Sequence, residues 1–146
     1  MSVPTALIDS NIALYALGSE SEWREACRHV LVLLAQGTIA GVASTEMLQE
    51  VAHHRLRMTG SRSRAVADTR DVMALVATVD FDEAVLHTAL HLIESTGIRG
   101  RDAVHAATAL TQGVDRMISI DPAFDTIPGL TRVTPAGLDE WIVQAS

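Results

Sequence analysis

The sequence has a single cysteine, Cys27, and not one lysine among its 146 residues. One cysteine cannot form an internal disulfide bond or a cysteine-rich zinc site, which is typical of a reducing compartment and predicts a cytoplasmic protein. The longest uninterrupted apolar run, residues 30–35, is far shorter than the roughly 20 residues that span a bilayer. The N-terminal segment has neither the basic nor the apolar region of a signal peptide, so we expect no membrane association.

Segments that would divide the chain are also missing. No Gly/Ser-rich or Pro-rich stretch, low-complexity segment or internal repeat interrupts it. Hydrophobic residues make up 48% of the sequence, which is enough for a substantial core. Length and composition together predict one domain that spans residues 1–146.

Strand-like and helix-like segments alternate along the chain. An apolar run over residues 3–8 predicts a buried first strand that ends at Asp9. Ser19 and Glu22 have the spacing of a capping box at the start of the second helix. Further strands are predicted at residues 38–43, 78–80, 116–120 and 131–133, with helices between them. The alternation predicts an α/β fold, a three-layer α/β/α sandwich around a central parallel sheet of four to five strands.

Four acidic side chains follow these strands or begin the next helix. They are Asp9, Glu46, Asp102 and Asp121. Because the carboxyl ends of parallel strands lie at one edge of a sheet, these acids should converge. Two carboxylates about 6 Å apart repel by roughly 3 kcal/mol at an effective dielectric of about 20, so a cation should lie among them. Oxygen ligands select hard ions, and the pattern therefore predicts Mg²⁺, with Mn²⁺ as the alternative.

The same residue types also have purely structural interpretations. Asp9 can cap the helix that follows it, and an acid in a helix's first turn complements the helix dipole by a few tenths of a kcal/mol. His87 and His91 have the spacing of a helical zinc pair but lack a third ligand nearby, which argues against a zinc site. His105, one turn beyond Asp102, is better explained by packing than by general acid catalysis.

The positive charge of the chain is concentrated although its net charge is −7. All eleven basic residues are arginine, and five of them lie within sixteen residues: Arg55, Arg57, Arg62, Arg64 and Arg70. Arginine binds phosphate through two parallel hydrogen bonds, so the cluster predicts a phosphate-binding patch. A solvated helical face explains the cluster equally well.

Four short segments carry a resemblance to a known family. They read LIDSN at residues 7–11, STEMLQE at 44–50, RDAVHAA at 101–107 and SIDPAFD at 119–125. In this order and at this chain length, they resemble the motifs of PIN-domain ribonucleases, and among these the VapC toxins of bacterial toxin-antitoxin pairs. The resemblance implies a PIN-like fold, divalent-metal-dependent endoribonuclease activity on cellular RNA, a homodimer and a cognate antitoxin.

The resemblance also implies roles for individual residues. Asp9, Glu46 and Asp102 would hold the metal that activates water, and Asp121 would complete or orient its shell. Asn11 and Ser119 would support these groups through hydrogen bonds. Pro122 stands where relatives often carry a basic residue, which leaves open whether Asp121 or Asp125 reaches the metal. The residues expected to bind RNA phosphates are Arg55, Arg57, Arg62 and Arg64.

Two other classes of protein fit part of the pattern. A metal-dependent phosphohydrolase of the phosphoaspartyl or receiver-like kind also places aspartates at strand ends, but both kinds rely on a lysine, which this chain lacks. A catalytically silent acidic interaction domain fits the net charge but does not explain why acids occur at four strand or helix ends. The sequence does not identify the RNA that is cut, because loops and shape determine that choice.

Overall fold

A central sheet of five parallel strands organises the computed structural model, which describes residues 2–146. The strands are β1 (Thr5–Ile8), β2 (Ala40–Ser44), β3 (Val76–Val79), β4 (Arg116–Ile118) and β5 (Thr131–Val133). Their order across the sheet is β3-β2-β1-β4-β5, and every neighbouring pair is parallel. The first strand of the chain therefore lies at the centre, which places the residue after it in the middle of the carboxyl edge.

Seven α-helices within residues 2–146 flank the sheet and complete the three-layer α/β/α sandwich that the sequence predicts. They are α1 (Ser10–Leu17), α2 (Arg24–Ala35), α3 (Thr45–Thr59), α4 (Arg62–Met73), α5 (Glu83–Thr96), α6 (Gly100–Thr111) and α7 (Leu138–Ala145). None of these helices combines the length and the apolar composition needed to cross a membrane.

Successive side chains of β1 enter different cores. Ala6 and Ile8 pack in one cluster with residues of α1, α2 and α3, whereas Leu7 packs in a second cluster with residues of α5 and α6. Because side chains alternate across a strand, a strand that is covered on both faces must be apolar at every position. This requirement explains the unbroken apolar run that ends at Asp9.

Helix α6 is built for close approach to the sheet. Ala103, Ala106, Ala107 and Ala109 are completely buried in the second core. Small side chains allow the helix backbone to lie near the strands, which brings the start of α6 to the carboxyl edge. Asp102 stands in the first turn of this helix.

Local capping agrees with the sequence at most helix ends. Ser44 ends β2 and caps α3 by accepting a hydrogen bond from the backbone N–H of Met47 at 3.1 Å. Gly60 ends α3 in a left-handed conformation, with φ of 65°. The capping box expected at Ser19 and Glu22 is wrong, since α2 begins at Arg24 without a side-chain cap.

Candidate functional site

Asp9 directly follows the central strand and is almost completely buried, with 4% of its surface exposed. One carboxylate oxygen accepts a hydrogen bond from the backbone N–H of Ser10 at 2.8 Å, which caps α1. The other oxygen accepts a hydrogen bond from the hydroxyl of Ser119 at 2.6 Å. Burial raises the pKa of Asp9 above its ordinary value, although the charge of His105 and the two hydrogen bonds oppose the shift. Asp9 is thus both a helix cap and a buried acid whose ionised form is disfavoured by burial.

Ser119 connects three parts of this edge. Its side chain is completely buried, and besides donating to Asp9 it accepts hydrogen bonds from the Asn11 amide at 3.3 Å and from the backbone N–H of Asp121 at 3.0 Å. The side-chain oxygen of Asn11 is buried and has no hydrogen-bond partner among the described residues. The two residues expected to support the site are therefore in contact with each other and, through Ser119, with Asp9.

Helix α3 contributes Glu50 to the surroundings of Asp9. The hydroxyl of Ser10 donates to one oxygen of Glu50 at 3.0 Å, and His105 Nε2 donates to the other at 2.9 Å. Burial alone would raise the pKa of Glu50, but the hydrogen bonds and the charge of His105 bring it below its ordinary value. Glu46, one turn earlier, is only half-buried and makes no hydrogen bond or ion pair to these groups in the described part of the chain.

Asp102 lies close enough to the other acids to be strongly affected by them. Burial, as the largest cause, together with the negative charges of Asp9 and Asp121 raises its pKa to about 6. His105 opposes the shift and Glu50 adds a smaller contribution. The acids that the sequence places at separate strand and helix ends, apart from Glu46, therefore interact at one edge of the sheet.

Asp121 and Asp125 have different surroundings. Asp121 caps a 3-10 turn, Pro122–Thr126, by accepting a hydrogen bond from the backbone N–H of Ala123 at 2.9 Å. Asp125 is exposed and forms two hydrogen bonds with Arg132, at 2.9 and 3.0 Å, which lower its pKa. Of the two, Asp121 is the acid whose charge acts on Asp102, whereas Asp125 is engaged by an arginine.

The arginines of the cluster are not equivalent. Arg55 forms an ion pair with Asp68 at 2.9 Å, and the two side chains are only 12% and 9% exposed. This pair joins α3 to α4. Arg57, Arg62 and Arg64 are exposed and make no ion pair in the described part of the chain. Arg70 of the same cluster is likewise exposed, so four of its five guanidinium groups are available at the surface.

The donor atoms at this edge suit a hard divalent cation. The carboxylates of Asp9, Glu50, Asp102 and Asp121 and the unpartnered oxygen of Asn11 provide oxygen ligands only. Burial, and after it the negative charges of Asp9 and Asp121, raise the pKa of Asp102, and a bound cation would offset both effects. Among residues 2–146, no three Asp, Glu, His or Cys side chains lie at metal-binding geometry, so these side chains would have to move to hold one ion together.

A family model for the PIN domain matches residues 6–130. The chain belongs to the PIN-domain family. Its PIN-domain relatives include ribonuclease VapC7 of Mycobacterium tuberculosis, which is 33% identical over 132 residues that cover 88% of this chain and 90% of the relative. Ribonuclease VapC13 of the same organism is 27% identical over 132 residues, which cover 87% and 98%. The resemblance deduced from the four sequence motifs is confirmed.

Solved structures share the PIN fold. VapBC2 from Rickettsia felis, bound to a DNA fragment from the promoter, aligns with a TM-score of 0.69 at 18% identity over 89% of this chain and 98% of that chain. VapC20 of M. tuberculosis, a Sarcin-Ricin loop cleaving toxin, aligns with a TM-score of 0.64 at 15% identity over 80% and 89%. At such low identity the likeness concerns the fold, and it confirms the predicted PIN-like architecture.

Sequence reasoning missed the contacts of Glu50 and His105. Glu50 lies in the second motif, four residues after Glu46, and residues with this spacing lie on the same face of a helix. His105 is a polar residue in the alanine-rich buried stretch of α6, and such a residue requires a hydrogen-bond partner. These two signals together predict a buried pair between α3 and α6.

Proposed function

We propose that this chain is a divalent-metal-dependent endoribonuclease and the toxin of a type II toxin-antitoxin system. The observation that carries the proposal is the convergence of one buried acid, Asp9, and several half-buried acids at the carboxyl edge, where burial and neighbouring carboxylates raise the pKa of Asp102 to about 6. The ribonuclease names of the VapC relatives support the nuclease activity. The VapBC complexes among the structural relatives support a cognate antitoxin as partner.

We assign the cation to Asp9, Glu50 and Asp102, with Asp121 completing or orienting the shell. Glu50 replaces Glu46 in this assignment because Glu50 is hydrogen-bonded to Ser10 and His105. The same two residues affect the pKa of Asp9. The ion is Mg²⁺, with Mn²⁺ as a substitute, since both accept oxygen ligands. Glu46 remains at the rim of the site, one turn nearer the start of α3.

The chemistry divides between the ion and the protein. A bound divalent ion neutralises charge on the scissile phosphate and activates water for attack. Ser119 and the N–H of Ser10 fix both oxygens of Asp9, so that this carboxylate is oriented before any ligand arrives. Asn11, held by Ser119, keeps an unpartnered oxygen at the same edge, where it can accept a hydrogen bond from substrate or water.

RNA would approach across α3 and α4. We assign phosphate contacts to Arg57, Arg62 and Arg64, which are exposed, and a structural role to Arg55, which is paired with Asp68. Exposed apolar residues on α5, including Leu86 and Leu90, provide a surface for the proposed homodimer.

Incubation of the purified chain with total RNA tests the proposed function. In Mg²⁺ or Mn²⁺ we expect new RNA 5′ ends at defined positions, which are absent in EDTA and absent for Asp9→Asn. A chain that binds Mn²⁺ but cleaves only small phosphate esters would be a phosphohydrolase. A chain that binds no divalent ion would be an acidic interaction domain, and the nuclease assignment would be wrong.

A further inference from the structure

His105 joins three elements of the fold through one imidazole ring. Only 1% of the residue is exposed. Its Nε2 lies 2.9 Å from a carboxylate oxygen of Glu50 on α3, and its Nδ1 lies 3.4 Å from the hydroxyl of Ser44 at the end of β2. The ring therefore contacts one carboxylate of the site and is itself fixed by a second hydrogen bond.

Packing alone does not explain a histidine at this position. Its neighbours on α6, Ala106 and Ala107, are completely buried, so the surroundings accept apolar groups. Moving an imidazole from water into such surroundings costs free energy unless its polar atoms are hydrogen-bonded. An aliphatic side chain of similar size would fill the space without this requirement. The property that distinguishes histidine here is its hydrogen bond to Glu50.

Glu50 is held at both oxygens. One accepts from His105, and the other accepts from the hydroxyl of Ser10 at 3.0 Å. Ser10 also donates its backbone N–H to Asp9 at 2.8 Å, so the two carboxylates are tied to the same residue. A carboxylate that is oriented in advance loses less rotamer freedom when it binds a ligand.

We propose that His105 is a positioning residue, which holds the Glu50 carboxylate beside Asp9 through its Nε2 hydrogen bond so that both can bind one divalent cation. This inference rests on the proposed function, since it places Glu50 among the ligands. Ser44 completes the arrangement: its oxygen accepts the N–H of Met47 at 3.1 Å, and its proton is available to Nδ1. Nε2 carries a proton that faces Glu50 both in the protonated ring and in the neutral ring whose Nδ1 accepts from Ser44.

Three substitutions at residue 105 separate positioning from packing. The amide nitrogen of glutamine reaches the place of Nε2, that of asparagine reaches only the place of Nδ1, and leucine fills the space without a donor. Calorimetric titration of the RNA-free chain with MnCl₂ measures the affinity directly. We expect His105→Gln to stay within about threefold of wild type, and His105→Asn and His105→Leu to bind roughly 10- to 100-fold more weakly, as is typical when a group that orients a metal ligand is removed.

A kinetic readout complements the titration. At saturating Mn²⁺, His105→Leu should lower kcat for RNA cleavage and leave KM unchanged, because the proposed role concerns the cation site and not the RNA contacts. In a Glu50→Gln background, His105→Leu should cause no further loss of Mn²⁺ affinity, because the carboxylate that it positions is already gone.

The outcomes are distinguishable. Equal Mn²⁺ affinities of the glutamine and asparagine variants would overturn the inference, and so would a leucine variant that binds like wild type. If the leucine variant does not fold, the comparison of glutamine with asparagine decides. A wild-type chain that neither binds Mn²⁺ nor cleaves RNA refutes the proposed function, whereas wild-type binding that is indifferent to residue 105 refutes only the role of His105.

Discussion

Ser119 donates a hydrogen bond to Asp9 at 2.6 Å although the two residues are 110 positions apart in the chain. The bond links the ends of β1 and β4, two neighbouring strands of the sheet. It stabilises the ionised form of Asp9 against the burial that favours protonation. The serine hydroxyl therefore favours the ionised form of Asp9, the form that the proposed metal site requires.

Replacement of Ser119 by alanine tests that link. Ser119→Ala removes the donor to Asp9 and the acceptor of two N–H groups, so we expect a loss of about 1–3 kcal/mol in the free energy of unfolding. The pKa of Asp9 should rise further, and Mn²⁺ binding should require a higher pH. Denaturant unfolding and Mn²⁺ titrations at several pH values measure both effects. Ser95→Ala, at an exposed serine of α5, is the matched control and should change neither.

Amide substitutions distinguish the two glutamates of α3. Asp9→Asn, Glu50→Gln and Asp102→Asn should each abolish metal-dependent RNA cleavage, because each removes a proposed ligand charge with little change in volume. Glu46→Gln should retain most activity, since Glu46 makes no hydrogen bond or ion pair with the acid cluster in the described part of the chain. Cleavage rates at saturating Mg²⁺ measure the difference. Loss of activity in Glu46→Gln with full activity in Glu50→Gln would restore the assignment made from the sequence.

The raised pKa of Asp102 predicts a pH-dependent stability without metal. Its pKa is 3.8 in the unfolded chain and about 6 in the folded chain. The contribution of Asp102 to the free energy of unfolding is therefore most favourable below pH 3.8 and is lost as the pH rises through 6. The cost at neutral pH is on the order of 2 kcal/mol, because one pKa unit corresponds to about 1.4 kcal/mol and partial exposure screens part of the effect.

Asp102→Asn should therefore melt at a higher temperature than wild type in EDTA at neutral pH, and at a similar temperature near pH 3.5. Added Mn²⁺ should reverse the order, since an ion at a hundred times its dissociation constant adds about 2.7 kcal/mol to a chain that binds it. Melting curves of both proteins, with and without metal, measure this. A variant that is less stable than wild type in EDTA would mean that the main role of Asp102 is to stabilise the first turn of α6.

Arg57, Arg62 and Arg64 should contribute to the salt dependence of RNA binding. Replacing Arg57, Arg62 and Arg64 together by glutamine should weaken binding and reduce the slope of log affinity against log salt by about 2, because three phosphate contacts to a single strand release about that many counterions. Binding to a labelled RNA in EDTA at several salt concentrations measures the slope. An unchanged slope would assign these side chains to a solvated face or to the surface that meets the antitoxin.

Arg55 should behave differently from its neighbours. Arg55→Gln leaves Asp68 buried without its cation, so we expect a loss of about 3 kcal/mol in the free energy of unfolding. The salt dependence of RNA binding should not change. Denaturant unfolding and the same RNA titration give both values, and an unfolding free energy equal to that of wild type would contradict the structural role.

The position of Asp9 could be predicted from the sequence because burial on both faces forces an apolar run, and such runs are visible in residue order. The sequence alone could not show which of Glu46 and Glu50 lies beside Asp9. Both residues lie on the same face of α3, and only the contacts of Glu50 with Ser10 and His105, which are distant in sequence, separate them. Residue order shows which side chains share a helix face. It does not show which turn of that face packs against the neighbouring strands and helices.

The first residue of β2 also differs between the prediction from the sequence and the structure. The sequence predicts that the second strand begins at residue 38, since Thr38 and Ile39 favour strands. In the structure Gly37 has a φ of 73°, and the N–H of Thr38 donates to Leu33 at the end of α2. Thr38 therefore belongs to the turn that ends α2, and β2 begins at Ala40, which is the first residue of this segment paired with β1.

The central place of β1 determines when the site can form during synthesis. A nascent chain that has emerged as far as residue 100 contains Asp9 and Glu50 but neither Asp102 nor Ser119. The pairing of β1 with β4 closes a loop of more than a hundred residues. Such long-range contacts form late in folding, because the chain must lose entropy to close the loop before the contacts can stabilise it. The hydrogen bond between Ser119 and Asp9 and the interaction of Asp102 with Asp9 therefore cannot form until the chain has been synthesised past β4.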